Sequence, residues 1–243
     1  MSEIPLGDSL FISVEAQNVR SNQRLQKIEL LVDGKVAMVK EINFRGNESK
    51  QVQFAFLPDA GSHTVAVGNL QLLNVKVYPV KKIDMNKSSF FTYCSATAKP
   101  CSFEYDISNN HYEISAAGTD FLHAEDSYGT IYLKEAIEGN FVATVKVIEF
   151  SEGISEWFRA GIFTRNDLSK SNQTGTLGSV LMLTTTKRNG VQWDEFGNGC
   201  MHNVKSKNYG IDHPIPVWLK LVRHGNQFSG YYSFDGKSWN LSR

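Results

Sequence analysis

The feature that most constrains this chain is an alternation of apolar and polar residues with period two, which runs through most of its length. In the N-terminal part it appears at Leu10, Ile12 and Val14, at Ile28, Leu30 and Val32, and at Val52, Phe54 and Phe56. It resumes at His63, Val65 and Val67, and again at Val75 and Val77. Successive side chains of an extended strand point to opposite faces, so each run describes a strand with one buried face. Asp33-Gly34, between residues 28–32 and 35–39, is the dipeptide that a two-residue type I′ hairpin favours, because both central positions need positive φ. Pro58-Asp59-Ala60-Gly61 marks the next turn. No segment carries a 3.6-residue apolar stripe, so the expected fold class is all-β.

The alternation lapses across residues 79–89, which are polar and open on Pro79, and this stretch reads as an interdomain linker. It returns with more aromatic residues at 112–116, 130–133, 140–148, 157–165, 179–184, 190–196, 217–223 and 227–234. Short strands separated by turn signals at this spacing predict a two-sheet sandwich rather than a βαβ fold. The expected organisation is a first β-sandwich over residues 1–78, the linker, and a larger sandwich over residues 90–243.

Lys plus Arg and Asp plus Glu number 25 each, so no global field draws the chain to nucleic acid or to an anionic membrane. No run approaches the roughly 18 to 20 apolar residues that cross a bilayer, and no basic segment followed by an apolar one opens the chain. Membrane insertion is therefore not expected, and oligomeric state is left open. Cys94 and Cys101 bracket a short loop that a local disulfide would close; three reduced thiols, Cys200 included, is the competing reading.

Two resemblances follow from particular motifs. Leu30-Leu31-Val32-Asp33-Gly34-Lys35, Val52-Gln53-Phe54-Ala55-Phe56 and Gly61-Ser62-His63-Thr64-Val65-Ala66-Val67-Gly68 resemble the bacterial cell-adhesion-related immunoglobulin-like modules. That resemblance implies an immunoglobulin-like β-sandwich serving as a spacer or adhesion unit. In the second part, Asp126-Ser127-Tyr128-Gly129-Thr130-Ile131-Tyr132-Leu133, then Glu138-Gly139-Asn140-Phe141-Val142-Ala143-Thr144-Val145-Lys146-Val147, then Arg159-Ala160-Gly161-Ile162-Phe163-Thr164-Arg165 come first. Pro216-Val217-Trp218-Leu219-Lys220-Leu221-Val222-Arg223 and the hairpin ending Asp235-Gly236-Lys237-Ser238-Trp239 then follow. In this order they are similar to the uncharacterised concanavalin A-like, laminin-G-like jelly rolls associated with secreted bacterial glycoside hydrolases. The resemblance implies an extracellular, cell-surface or periplasmic location. Because such domains usually continue past this hairpin, the second sandwich is expected to lack its last strand.

Catalytic signatures are lacking: the chain contains no His-Glu-x-x-His, Walker loop, Gly-x-Ser-x-Gly elbow or Glu-x-Asp-x-x-Glu strand. Asp194 and Glu195 are the nearest carboxylate pair, and solvated strand-end acids are the blander reading of them. No catalytic residue is assigned; whether the chain is an enzyme is left open, a non-catalytic role being favoured over a glycoside hydrolase. Sugar binding asks for less, namely aromatic faces and side chains that pair with hydroxyls. Arg159 and Arg165 lie six apart on one strand and share a face with Gly161 and Phe163. They are expected to line a concave groove with Arg188, Gln192, Trp193 and Tyr231, with Glu195 counted beside them; in the alternative reading Glu195 merely pairs with the arginines. Calcium is the one cofactor to consider, with Asp120, Glu125 and Asp126 in the loop from Gly118 to Gly129 as candidate ligands. The expected function is a non-catalytic carbohydrate-binding or accessory protein whose partner is a polysaccharide or glycan. The alternatives are a glycoside hydrolase-like enzyme and a cell-surface adhesion or scaffolding protein.

Overall fold

The computed structural model describes residues 2–81, 90–95, 98–106, 108–118, 127–151, 155, 157–165, 168, 180–186, 190–195, 201–203 and 215–242. Among these residues the chain is built from strands, with no α-helix. It divides into two compact units, residues 1–80 and 81–243. The expected linker, 79–89, spans this division, and its residues 82–89 lie outside the described residues.

The first unit contains β1 (Ser2–Pro5), β2 (Leu10–Gln17), β3 (Arg24–Val32), β4 (Lys35–Phe44), β5 (Ser49–Phe56), β6 (Gly61–Val67) and β7 (Leu73–Tyr78). A five-stranded sheet runs β1-β7-β6-β3-β4, and β2 pairs with β5 in a second sheet. The alternating apolar residues meet between them: Ile12, Leu30, Val52, Phe54, Val65, Val67, Val75 and Val77 form one buried cluster. Register explains why they converge, since Ile12 stands opposite Phe54 and Val14 opposite Val52, which puts both pairs on one face. Leu30 and Phe54 are almost completely buried, each contributing about 1.5–3 kcal/mol.

Asp33 and Gly34 adopt φ of 51° and 74°, the left-handed backbone that a type I′ turn requires, and Val32 pairs with Lys35 across it. The turn is tied to β6. Asp33 Oδ1 accepts from the Thr64 amide at 2.8 Å, and Asp33 Oδ2 lies 2.8 Å from His63 Nδ1. His63 Nε2 faces the Asp59 carbonyl oxygen at 2.9 Å, so both ring nitrogens face acceptors. Only the doubly protonated imidazolium satisfies both contacts. The Asp33 carboxylate first, and the Asp59 carbonyl second, raise the His63 pKa above its ordinary 6.5, while His63 in turn lowers that of Asp33.

A second fastening joins the β2–β3 and β4–β5 loops, which register places at one end of the unit. Asn18 is 1% exposed, and its Nδ2 donates to the Asn22 and Arg45 carbonyls at 2.8 and 2.9 Å. Its Oδ1 accepts from the Arg20 amide at 3.2 Å. The loops approach so closely that a Cβ on Gly46 would overlap the Ser21 carbonyl, which explains a glycine there.

The second unit holds β8 (Phe90–Cys94), β9 (Cys101–Asp106), β10 (His111–Ala116), β11 (Gly129–Leu133), β12 (Phe141–Val147), β13 (Arg159–Arg165), β14 (Val180–Thr186) and β15 (Val191–Glu195). It continues with β16 (Met201–Asn203), β17 (Val217–His224), β18 (Gln227–Ser233) and β19 (Asn240–Leu241). Two four-stranded antiparallel sheets, β12-β17-β18-β19 and β13-β14-β15-β16, bury one face each in a shared core. Phe141, Val147, Val217, Leu219 and Leu221 come from the first of these sheets, and Val191 and Trp193 from the second. Two pairs, β8 with β11 and β9 with β10, complete the described strands. A disulfide between Cys94 and Cys101, with Cα atoms 6.0 Å apart, joins the end of β8 to the start of β9. The reading with three reduced thiols is thereby set aside; Cys200 lies outside the described residues. At the β18–β19 turn, Asp235 Oδ1 accepts from the Lys237 and Ser238 amides at 2.7 Å, and these bonds hold its carboxyl well below the usual range.

Candidate functional site

Strand β13 sets the geometry. Ala160 and Ile162 pack against the shared core, so Arg159, Gly161, Phe163 and Arg165 stand on the outer face of their sheet. Register carries that face across the sheet: Gly161 lies opposite Thr184, which lies opposite Gln192, and Phe163 leads through Met182 to Asp194. The open middle of β13 is Gly161, flanked on its own strand by Arg159 and Phe163. Toward β15 the row closes over, since Thr184 is 9% and Gln192 1% exposed.

Arg165 is fixed by an aromatic neighbour from outside the sheet. Its Nη1 donates to the Tyr128 hydroxyl at 3.2 Å, and its guanidinium carbon lies 5.9 Å from the Tyr128 ring centre. The Tyr128 ring meets Phe163 edge-on and Tyr93 at a tilt, both at 5.4 Å between centres. Tyr128 is itself pinned by Ser95. The Ser95 amide donates to the Tyr128 carbonyl, and the Tyr128 amide donates to Ser95 Oγ, each at 3.0 Å. Ser95 follows Cys94 directly, so the disulfide, Ser95, Tyr128 and Arg165 form a continuous chain of contacts.

Gln192 completes the face. Its amide oxygen and nitrogen are both buried and meet no hydrogen-bond partner among the described residues. A buried amide in that condition forfeits about 1–3 kcal/mol per group, which a ligand supplying a donor and an acceptor would recover. A hydroxyl supplies both.

The remaining expected groove residues are placed differently. Trp193 is 2% exposed and packs in the core, which corrects the expectation that it lines an open groove. The reason is register: Trp193 lies opposite Leu183 and so shares the row of Ile162, which faces the core. Glu195 stands opposite Leu181, in the row of Thr164, whereas Asp194 stands in the row of Phe163. The two carboxylate positions thus fall in different rows.

Tyr231 belongs to the other sheet, opposite Lys220, and it too is corrected as a neighbour of the arginines. Leu219, Leu221 and Tyr232 take the core face there, which turns Tyr231 outward. On that outer face Lys220 Nζ lies 5.0 Å from the Tyr231 ring centre and 4.4 Å from that of Trp239, and Lys146 lies 5.4 Å from Trp218. Arg188, Asp120, Glu125 and Asp126 lie outside the described residues. Among the described residues no group of three or more His, Cys, Asp or Glu converges on a metal position, and no helix is long and apolar enough to cross a membrane.

Tyr128 and Thr184 are the residues that sequence reasoning missed. Thr184 was accessible through the Gly161 row once the pairing was known. Tyr128 lies outside the alternating strands and carries no periodic signal. Comparison with family models, with characterised proteins and with solved structures finds no match to this chain.

Proposed function

We propose that the chain is a non-catalytic carbohydrate-binding or accessory protein of a secreted glycan-processing system. Its first unit serves as an immunoglobulin-like spacer, and its second is a concanavalin A-like jelly roll that binds glycan on the outer face of the β13–β16 sheet. The observation that carries this reading is the buried amide of Gln192, without a hydrogen-bond partner among the described residues, on the same face as Arg159 and Arg165. Glycan hydroxyls both donate and accept, so they match an amide and two guanidinium groups, while the Phe163 ring offers an apolar surface beside them. A disulfide in the second unit supports an oxidising, extracytoplasmic compartment.

The test is a glycan array probed with the full chain. Retention on a restricted set of glycans is expected. Arg159→Ala and Gln192→Ala should each weaken binding by roughly 10-fold or more, the usual effect of losing hydrogen bonds to a buried ligand. Tyr231→Ala, on the opposite sheet, should leave binding intact. Uniformly blank arrays, or loss of binding with Tyr231→Ala alone, would overturn the reading.

A further inference from the structure

We propose that the outer face of the β13–β16 sheet takes the terminal sugar of a glycan end-on, with Gln192 reading a pair of neighbouring hydroxyls on that sugar. This inference deepens the carbohydrate reading above and rests on it.

One row of the sheet carries the inference. Gly161, Thr184 and Gln192 stand opposite one another in register across β13, β14 and β15. Exposure falls steeply along the row: Gly161 is exposed, Thr184 is 9% exposed and Gln192 is 1% exposed. The row is therefore entered at β13 and ends on a buried amide. At the entrance Gly161 has no side chain, and its neighbours on the same face are Arg159 and Phe163. Those two positions lie four residues apart, about 13 Å along an extended strand, and their own side chains fill part of that distance. The gap suits one sugar ring rather than a run of them.

Burial of the anchor decides which sugar of a chain enters. An internal residue of a polysaccharide has a glycosidic bond on either side, so enclosing it means enclosing its neighbours too. A terminal residue is joined on one side only. Its free edge can reach the buried amide while the rest of the glycan leaves over Gly161 into solvent.

The amide also sets what that free edge presents. Gln192 Oε1 accepts and Nε2 donates; both are buried, and neither meets a hydrogen-bond partner among the described residues. The two atoms lie side by side on one planar group. They are matched by two hydroxyls on adjacent ring carbons, one donating and one accepting. Thr184 stands opposite Gln192, with Cβ atoms about 4.5–5.5 Å apart, and brings a further hydroxyl to the same row. A sugar with either hydroxyl of the pair missing or methylated leaves one amide atom unmet in a buried site, which is costly.

The experiment titrates the full chain with methyl glycosides of the common hexoses and pentoses and follows the Gln192 side-chain amide by nuclear magnetic resonance. At least one methyl glycoside should shift that signal and displace glycans bound on the array. Its affinity should fall within about 10-fold of that of the longer chains, because a few buried contacts carry most of the binding energy. Deoxy or O-methyl analogues altered at either of two adjacent hydroxyls should bind about 10-fold or more weakly, and analogues altered elsewhere should not. Gln192→Leu should erase that difference between analogues, with tryptophan fluorescence unchanged. Array glycans that no methyl glycoside displaces, or an affinity that climbs with each added sugar, would overturn end-on recognition and leave the carbohydrate reading standing. Equal binding of all the analogues would overturn the role given to Gln192. Blank arrays together with an unmoved Gln192 signal in every titration would overturn both the inference and the reading it rests on.

Discussion

Replacing Asn18 by Ala tests whether the first unit is fastened at its loops as well as packed at its core. The side chain is 1% exposed and makes three hydrogen bonds, donating to the Asn22 and Arg45 carbonyls and accepting from the Arg20 amide. At about 1 kcal/mol each, their loss costs about 3 kcal/mol. Asn18→Asp should be at least as damaging at neutral pH, because it turns a carboxylate oxygen toward two carbonyl oxygens in place of a donor. All four Trp residues lie in the second unit, so tryptophan fluorescence follows that unit while far-UV circular dichroism follows both. With a urea dependence of about 1 kcal/mol/M for a unit of this size, the dichroism transition absent from the fluorescence signal should move down by roughly 2–3 M. A shift below about 0.5 M, or an Asp variant as stable as the native protein, would refute the fastening.

Two further outcomes follow from the same physics. Cys94→Ala with Cys101→Ala should lower the stability of the second unit by about 2.5 kcal/mol, the loop-closure entropy of a bridge this short, read from the fluorescence-detected transition. His63 is more basic in the folded state than its ordinary 6.5, so its stabilisation is complete below that value and is lost as pH rises through the higher folded pKa. Asp33, whose pKa is lowered, stabilises above 3.8, and its contribution fades as pH falls through the folded value. The thermal transition of the first unit should therefore peak between these limits, and His63→Gln should flatten the alkaline limb and also weaken the acid limb, because His63 is the first cause of the lowered Asp33 pKa.

Much of the all-β character was legible because alternation is a local signal: Ile12, Leu30, Phe54 and Val65 declare their faces within a few residues. The Asp33-Gly34 turn was legible for a similar reason, since its backbone requirement lies in the dipeptide itself. Strand β1 was not legible; Ser2–Pro5 has no alternation and forms only through parallel pairing with β7. The site was legible in part. Alternation puts Arg159 and Arg165 on one face, but it does not decide which of Gln192 and Trp193 joins them, because both are buried. That choice belongs to the register from β13 through β14 to β15. Tyr231 shows the same limit: its face depends on pairing with Lys220, and two neighbouring tyrosines look alike from sequence.

Binding of glycan through Gln192 on the outer face of the β13–β16 sheet is tested by nuclear magnetic resonance of the glutamine side-chain amides. The Gln192 signal is identified by its loss in Gln192→Leu, and a glycan selected on the array is then titrated into the native chain. A saturable shift of the Gln192 amide is expected, with no comparable change at the indole signals of Trp218 and Trp239. A Gln192 signal that stays fixed while those indoles shift would contradict it and place binding on the opposite sheet.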